Sequence, residues 1–170
     1  MRLRDQPPVH LTYCLNIHPG ETWAENFAAI RDKAAAVRDR LAPPGPFGLG
    51  LRLGEAAARE LLAEGRLAEL REVLRREEMY AFTVNGFPYG RFHGTAVKAE
   101  VYSPDWRSPQ RLDYTVALAR ILAELLPEAV PGSISTVPGS YKAWVRSPDG
   151  AAEMAANLAE AAWQLARIRR

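Results

Sequence analysis

Residues 47–53 read FGLGLRL, a short apolar run that contains two glycines and one arginine. Runs of this length and composition are typical of a buried β-strand, and the glycines indicate close packing or a tight bend. Residues 55–76 follow with a helical pattern that we expect to break at Gly65. The stretch is therefore a strand followed by a helix, and the same alternation continues on both sides of it.

Four such units follow one another along the chain. Thr22 with Glu25 is typical of a capping box, and Ser108 with Pro109 of an N-cap followed by the first helical residue. The strands are predicted at residues 10–16, 47–53, 80–85 and 132–137. The helices are predicted at residues 22–41, 55–76, 108–126 and 147–168, the last with an inward face formed by Met154, Leu158, Ala161, Leu165 and Ile168.

Alternating strands and helices predict an α/β protein with a parallel sheet. A doubly wound open sheet and part of a (β/α)8 barrel both fit this alternation. Neither glycine-rich phosphate-loop pattern follows any strand, whereas polar residues follow every strand, as at the carboxyl face of a barrel. A complete barrel needs about 250 residues and eight units. We therefore predict a TIM-barrel-type half barrel of about four βα units, forming a single domain over residues 1–170.

The composition limits the class of partner. Lys and Arg number 22 against 20 Asp and Glu, so the net charge of +2 gives no electrostatic reason to expect nucleic acid. We expect no membrane span, because no run approaches about 18 apolar residues. The single cysteine, Cys14, excludes an internal disulfide and fits a cytoplasmic location. We predict Cys14 to be a small buried core residue.

The longest predicted connection follows the third strand, in residues 82–106, FTVNGFPYGRFHGTAVKAEVYSPDW. Such connections usually take about 2–6 residues, and long ordered loops are usually functional. Its aromatic rings suit the wall of a pocket for a sugar-like ligand, or a small core that keeps the loop ordered. Among them we assign Phe87, Tyr89 and Trp106 to substrate binding.

Three residues of this loop could carry chemistry. His93 is a candidate metal ligand or general base, or else a residue that shapes the turn through backbone hydrogen bonds. Lys98 could bind phosphate or carboxylate, and Asp105 could hold a metal or orient a histidine, with a plain ion pair as the alternative. We assign His93 and Lys98 as catalytic candidates, and His93 and Asp105 as metal candidates.

Further candidate substrate-binding residues follow the other strands. Asn16 and Asn85 end strands and could present amides to a polyhydroxy ligand, although Asn is also common at turns. His18 lies two residues beyond Asn16. Arg52 in an apolar strand needs a partner, either a ligand anion or a carboxylate. Lys142 is a second candidate anion contact.

Several of these segments together resemble the metabolite traffic protein EboE family, of the xylose isomerase-like (sugar phosphate isomerase/epimerase) TIM barrel superfamily. The resemblance runs from Val9 to about Val145, and its most specific piece is NGFPYGxFHG. It is carried by HLTYCLNIHPGETW, FGLGLRL, FTVNGFPYGRFHG, VKAEVYSPDW and GSISTVPGSYK. Because the family has a complete barrel, the resemblance implies that this chain is the N-terminal half: a fragment, a truncated gene product or one part of a split protein.

The resemblance also implies a function. We expect a small polar metabolite as the ligand, in the traffic or processing of a precursor. The alternative is a metal-dependent sugar (phosphate) isomerase or epimerase. Its divalent metal, Mg, Mn or Zn, would have most of its ligands outside this chain. A half barrel has two unpaired sheet edges, so we expect a homodimer, pairing with the missing C-terminal half, or marginal stability.

Overall fold

The computed structural model describes residues 1–63, 65–91 and 98–168. Its strands are β1 (Arg2–Asp5), β2 (Pro8–His10), β3 (Tyr13–Cys14), β4 (Phe47–Arg52), β5 (Met79–Asn85) and β6 (Ser133–Ser135). Its helices are α1 (Trp23–Ala28), α2 (Ala35–Leu41), α3 (Glu55–Leu61), α4 (Arg66–Arg76), α5 (Pro109–Leu125) and α6 (Pro148–Ile168). A π-helical segment, Ala29–Ala34, joins α1 to α2, and short 3-10 segments lie at Leu15–Ile17, Lys98–Tyr102 and Lys142–Trp144.

Four of the strands form a parallel sheet in the order β3-β4-β5-β6. A doubly wound sheet reverses its strand order at a switch point, and this sheet does not. Successive helices also contact one another, α1 with α3, α3 with α5, and α5 with α6, so they form one layer. The predicted α/β class with a parallel sheet is confirmed. The eight-stranded barrel stays a prediction.

The predicted helix ends are confirmed where the sequence carries capping residues. The Thr22 hydroxyl accepts a hydrogen bond from the N–H of Glu25, whose carboxylate in turn accepts from the N–H of Thr22. Ser108 caps α5 directly before Pro109. Gly65 separates α3 from α4 with a φ of +82°, in the left-handed region that glycine adopts without strain.

Strand β4 is buried along its whole length and divides its residues between two faces. Phe47, Leu49 and Leu51 belong to the main core. Gly48 and Gly50 lie on the opposite face, which we call the helix-free face. A Cβ added at Gly48 would come within 2.4 Å of the Met1 backbone nitrogen and 2.5 Å of the Leu11 carbonyl oxygen. The predicted close packing at these glycines is therefore confirmed.

The N-terminal segment differs from its prediction. Residues 2–10 form an antiparallel hairpin, β1 with β2, and the predicted strand 10–16 is reduced to β3. The nitrogen of Met1 donates to the Leu11 carbonyl over 2.6 Å, which holds the chain start against the helix-free face beside Gly48. His10 Nδ1 lies 2.8 Å from the Tyr80 hydroxyl. Cys14 is exposed, because it lies beside Gly50 on the helix-free face, so its prediction as a core residue is wrong.

Helix α6 packs through a narrower stripe than predicted. Met154, Ala161 and Ile168 join the second core cluster, at a spacing of seven residues. Leu158 and Leu165 are 43% and 39% exposed, so their prediction as inward-facing residues is wrong. The helix packs against α5 and leaves much of its apolar surface uncovered.

Candidate functional site

The carboxyl ends of β5 and β6 bring polar side chains together on the helix-free face. Asn85 lies beside Ser135 in the sheet, and the Ser135 hydroxyl donates to Asn85 Oδ1 over 2.9 Å. The N–H of Phe87 donates to the same oxygen over 3.1 Å. Among the residues that the structure describes, the Asn85 amide nitrogen has no hydrogen-bond partner. A half-buried donor is therefore presented beside a serine hydroxyl.

Four aromatic rings, which we call the aromatic row, form a line through the loops that follow these two strands. Phe87 contacts Tyr102 at a centroid distance of 5.6 Å. Tyr102 contacts Tyr141 at 5.7 Å, and Tyr141 contacts Trp144 at 5.5 Å. Tyr141 is 39% exposed. Because Phe87 is also bonded to Asn85, the row begins beside the Asn85–Ser135 pair.

Arg52 ends β4 and is held inside the protein. It is 1% exposed, its Nη1 donates to the Gly20 carbonyl, and its Nη2 lies 3.2 Å from the Glu21 carboxylate. The expectation that Arg52 needs a partner is confirmed, with Glu21 as the carboxylate. These contacts hold Arg52 against the loop that follows β3. Its predicted role as a ligand contact is corrected, because a guanidinium this buried does not reach solvent.

His18 lies apart from the Asn85–Ser135 pair. Its Nε2 is 2.9 Å from the Tyr13 hydroxyl, and the Tyr13 ring packs against Phe47 on the helix side of the sheet. Burial lowers the pKa of His18, and the charge of Lys33 lowers it further. Asn16 is half-buried in the 3-10 segment Leu15–Ile17. Among the described residues, the hydrogen bond and the ring contact of His18 are both with Tyr13, and neither is with Asn85 or Ser135.

Trp106 is a core residue. It is 2% exposed and packs in the second core cluster with Leu112 and Val137. Its indole N–H donates to the Thr136 hydroxyl over 3.1 Å, and its carbonyl accepts from the Asn157 amide over 2.8 Å. The prediction that Trp106 forms a pocket wall is corrected, because a ring this buried offers no face to a ligand.

Asp105 connects the loop that follows β5 with the loop that follows β6 through hydrogen bonds. Its Oδ2 accepts from Arg107 Nη2 over 2.7 Å and also from the Ser140 hydroxyl, and its Oδ1 accepts from the Arg107 N–H over 3.0 Å. Burial raises the pKa of Asp105, but the hydrogen bonds from Arg107 and Ser140 lower it more, so the net shift is downward. The predicted alternative for Asp105, an ion pair, is present with Arg107.

The residues that the structure describes do not fit the expected metal site. Among them, no three His, Cys, Asp or Glu side chains come together as metal ligands. Both carboxylate oxygens of Asp105 already accept hydrogen bonds. His93 lies outside the described residues, as does the side chain of Lys98, so their catalytic and metal assignments stay predictions.

Tyr89 and Lys142 lie in the segments that follow β5 and β6. The Tyr89 ring contacts Tyr114 at 5.2 Å and the Arg111 guanidinium at 5.7 Å, on the inner side of the long loop. Burial raises the pKa of Tyr89. Lys142 is exposed next to Tyr141. Of the predicted binding residues, Asn85, Phe87 and Lys142 are thus close to the row.

Arg111 has a structural role that the sequence analysis missed. It is fully buried at the start of α5, where its Nε donates to the Pro104 carbonyl over 2.8 Å and its Nη1 to the Gly86 carbonyl over 2.9 Å. These two carbonyls lie near the start and the end of the long loop. The available signal was an arginine directly beside Leu112, the first residue of the apolar line of this helix.

Three cavities lie away from the Asn85–Ser135 pair. Two of about 620 and 600 Å³ share Arg75, Met79 and Tyr80 near the start of β5. A third, of about 1000 Å³, lies between α5, β6 and α6 and is lined by residues that include Ile134 and Leu165. None of these three cavities is lined by Asn85 or Ser135.

Comparisons with known proteins leave the family open. The chain matches no family model, and no curated protein or solved structure shows significant similarity to it. The EboE resemblance therefore stays a prediction. In the described part of the chain, no helix has both the length and the apolar character that crossing a bilayer requires.

Proposed function

We propose that this chain is half of a (β/α)8 barrel that binds a small polar metabolite at the carboxyl ends of its strands. The sequential strand order and the single helix layer support the barrel architecture, because successive βα units follow one another in this way around a barrel. Barrel enzymes and binding proteins use the loops at this end of the sheet for their ligands. The resemblance to the EboE family points to the same ligand class.

The observation that carries the proposal is the amide nitrogen of Asn85. The oxygen of the same amide accepts hydrogen bonds from the Ser135 hydroxyl and from the Phe87 N–H. These two bonds fix the direction in which the amide nitrogen points. An amide donor of this kind suits a hydroxyl or carbonyl oxygen of the ligand. The aromatic row supplies apolar ring faces beside it, which suit the C–H faces of a sugar or polyol. Donor and ring faces together match a small polyhydroxy compound.

The proposal is tested by an isosteric replacement, Asn85→Asp. An aspartate keeps an oxygen for the Ser135 and Phe87 bonds but removes the N–H donor. Binding of D-xylose, myo-inositol and a hexose phosphate is followed by saturation-transfer NMR and titration calorimetry. We expect Asn85→Asp and Tyr141→Ala each to weaken binding at least about tenfold, the equivalent of roughly 1.4 kcal/mol.

Arg59→Ala is the matched control, because Arg59 is exposed on α3 and paired only with Glu55 among the described residues. It should leave binding unchanged. Thermal unfolding shows whether each variant is folded. The proposal is contradicted if all three probes fail to bind the folded protein, or if Asn85→Asp and Tyr141→Ala bind them as tightly as the unmodified protein does.

A further inference from the structure

Two hydrogen-bonded pairs of side chains connect β5 with β6 on the helix-free face. One is the Asn85–Ser135 pair of the candidate site. The other is formed by Thr83 and Ser133, whose hydroxyl donates to Thr83 Oγ1 over 2.9 Å. Ile134, between the two serines, packs against the main core, so both serines lie on the opposite face. We call the two pairs together the hydroxyl ladder.

The Asn85–Ser135 pair has a fixed hydrogen-bond polarity. A backbone N–H can only donate, so the Asn85 atom that faces the Phe87 N–H is the amide oxygen. That oxygen can only accept, so the Ser135 hydroxyl proton is directed at it. Ser135 is therefore left with lone pairs that accept, and Asn85 with an amide nitrogen that donates. The pair thus presents one donor on β5 and one acceptor on β6.

The Thr83–Ser133 pair has the same polarity. The Ser133 proton is directed at Thr83 Oγ1, so Ser133 is left to accept and the Thr83 hydroxyl to donate. Reversal of a bond between two hydroxyls exchanges these roles but still leaves one donor and one acceptor. Thr83 lies beside Ser133 in the sheet and Asn85 beside Ser135. The two pairs are therefore two residues apart along the strands, a distance of about 6.6 Å.

The polarity and the charge of the ladder favour a neutral hydroxyl as its ligand. A carboxylate only accepts hydrogen bonds, so it would face the serine lone pairs without a proton to give them. The positions beside the ladder on β4 are Gly50, next to Thr83, and Arg52, next to Asn85. Arg52 is buried and paired with Glu21, so neither position supplies a counter-charge. A hydroxyl both accepts and donates, and it therefore satisfies both members of a pair.

We propose that the hydroxyl ladder binds two hydroxyls of a neutral six-membered-ring polyol, one hydroxyl at each pair. Each bound hydroxyl accepts from the β5 side chain and donates to the β6 serine. Hydroxyls on adjacent ring carbons are too close together to reach both pairs, so the bound hydroxyls are those on opposite, 1,4-related carbons. Thr83 and Ser133 then determine specificity. This inference rests on the proposed function, because it takes the Asn85 amide as a ligand contact.

The test compares trans-1,4-cyclohexanediol, which reaches both pairs, with cyclohexanol, which reaches one. Dissociation constants are measured by NMR titration. The number of hydroxyls alone gives the diol an advantage of about twofold, and we expect about fivefold or more in the unmodified protein. Thr83→Val is combined with Ser133→Ala, because a single remaining hydroxyl would still bind the diol. This double variant should retain only the twofold advantage, and its cyclohexanol affinity should be unchanged.

Thr83→Ser is the matched control, because it keeps the hydroxyl and should keep the advantage of the diol. Glucose should bind at least as tightly as glucose 6-phosphate. The ladder is overturned if the unmodified protein shows no more than the twofold advantage, if the folded double variant keeps the full advantage, or if glucose 6-phosphate binds more tightly than glucose. If Asn85→Asp still weakens myo-inositol binding in that case, the proposed function stands without the ladder. If none of these probes binds, both fail.

Discussion

Arg111 donates from Nη1 to the carbonyl oxygen of Gly86 over 2.9 Å, across 25 residues of sequence. The Nε of the same guanidinium binds the Pro104 carbonyl at the other end of the long loop. Burial lowers the pKa of Arg111, which shows that its charge is held at a desolvation cost. These two hydrogen bonds join the two ends of the loop that carries Phe87 and Tyr102 of the aromatic row.

The first prediction concerns this closure. Arg111→Met keeps much of the side-chain volume but leaves the Gly86 and Pro104 carbonyls without their donor. An unpaired buried carbonyl costs about 1–3 kcal/mol, and relief of the buried charge offsets part of it. We expect the free energy of unfolding in urea to fall by about 2 kcal/mol and the loop to be cleaved faster by protease. Arg59→Met, at an exposed position of α3, should change neither, and equal effects in both variants would refute the role of Arg111.

The second prediction compares two glycines. At Gly48 an added Cβ would lie within 2.4 Å of the Met1 nitrogen and within 2.5 Å of the Leu11 carbonyl oxygen, which is part of the backbone. At Gly90 it would meet no described atom within 4 Å. We expect Gly48→Ala to lower the free energy of unfolding by about 1–3 kcal/mol and Gly90→Ala to leave it within about 0.5 kcal/mol. Similar melting curves for the two variants would show that the chain start does not pack against β4.

Local sequence signals explain why much of the fold was predictable. The capping box at Thr22, the break at Gly65 and the buried run of β4 each depend on residues within a few positions of one another. Such patterns fix where elements begin and end without knowledge of the rest of the chain. The predicted alternation of strands and helices followed directly from them.

The predictions that failed concern residues whose surroundings come from parts of the chain distant in sequence. Cys14 looks like a core residue by composition, but its exposure follows from its place on the helix-free face of the sheet. Trp106 is buried in the second core cluster, where Asn157, 51 residues away, and Thr136 are hydrogen-bonded to it. The partner that fixes Asn85, Ser135, is likewise 50 residues distant. No local sequence pattern indicates such contacts. The sequence therefore placed the candidate site at the strand ends but did not show which side chains meet there.

The third prediction uses Tyr114. Its buried hydroxyl donates to the Leu53 carbonyl, and burial raises its pKa above the ordinary value of about 10. A raised folded pKa means that Tyr114 contributes stability below the unfolded pKa and loses it as the pH rises through the folded value. Tyr114→Phe should cost about 1 kcal/mol at neutral pH. Above pH about 10 it should lose less stability than the unmodified protein does, measured by urea unfolding across pH.

The same pH series on Tyr141→Phe provides the control, because the Tyr141 ring is 39% exposed and lies in the aromatic row. Its stability curve should run parallel to that of the unmodified protein. If the stability of Tyr114→Phe falls in alkali as much as that of the unmodified protein does, the Tyr114 hydroxyl does not titrate with unfolding. Its buried hydrogen bond to Leu53 is then not the source of the alkaline sensitivity.

The fourth prediction concerns Asp105, which joins the loops after β5 and β6. Asp105→Asn keeps the shape but weakens the bonds from Arg107 and Ser140. Because Arg107 is 32% exposed and solvent screens the pair, we expect a loss of about 1–2 kcal/mol at pH 7. The measurement is urea unfolding of both proteins, with Asp32→Asn as the control because Asp32 pairs with Arg31 at an exposed position.

The sign of the pH dependence distinguishes charge from shape at Asp105. Its folded pKa is lowered, so its contribution is fully present above the unfolded pKa of about 3.9 and is lost as the pH falls through the folded value. The stability gap between the unmodified protein and Asp105→Asn should therefore be constant near neutrality and shrink in acid. A gap that stays constant into acid would mean that the amide disturbs packing and that the ionised carboxylate does not hold the two loops together.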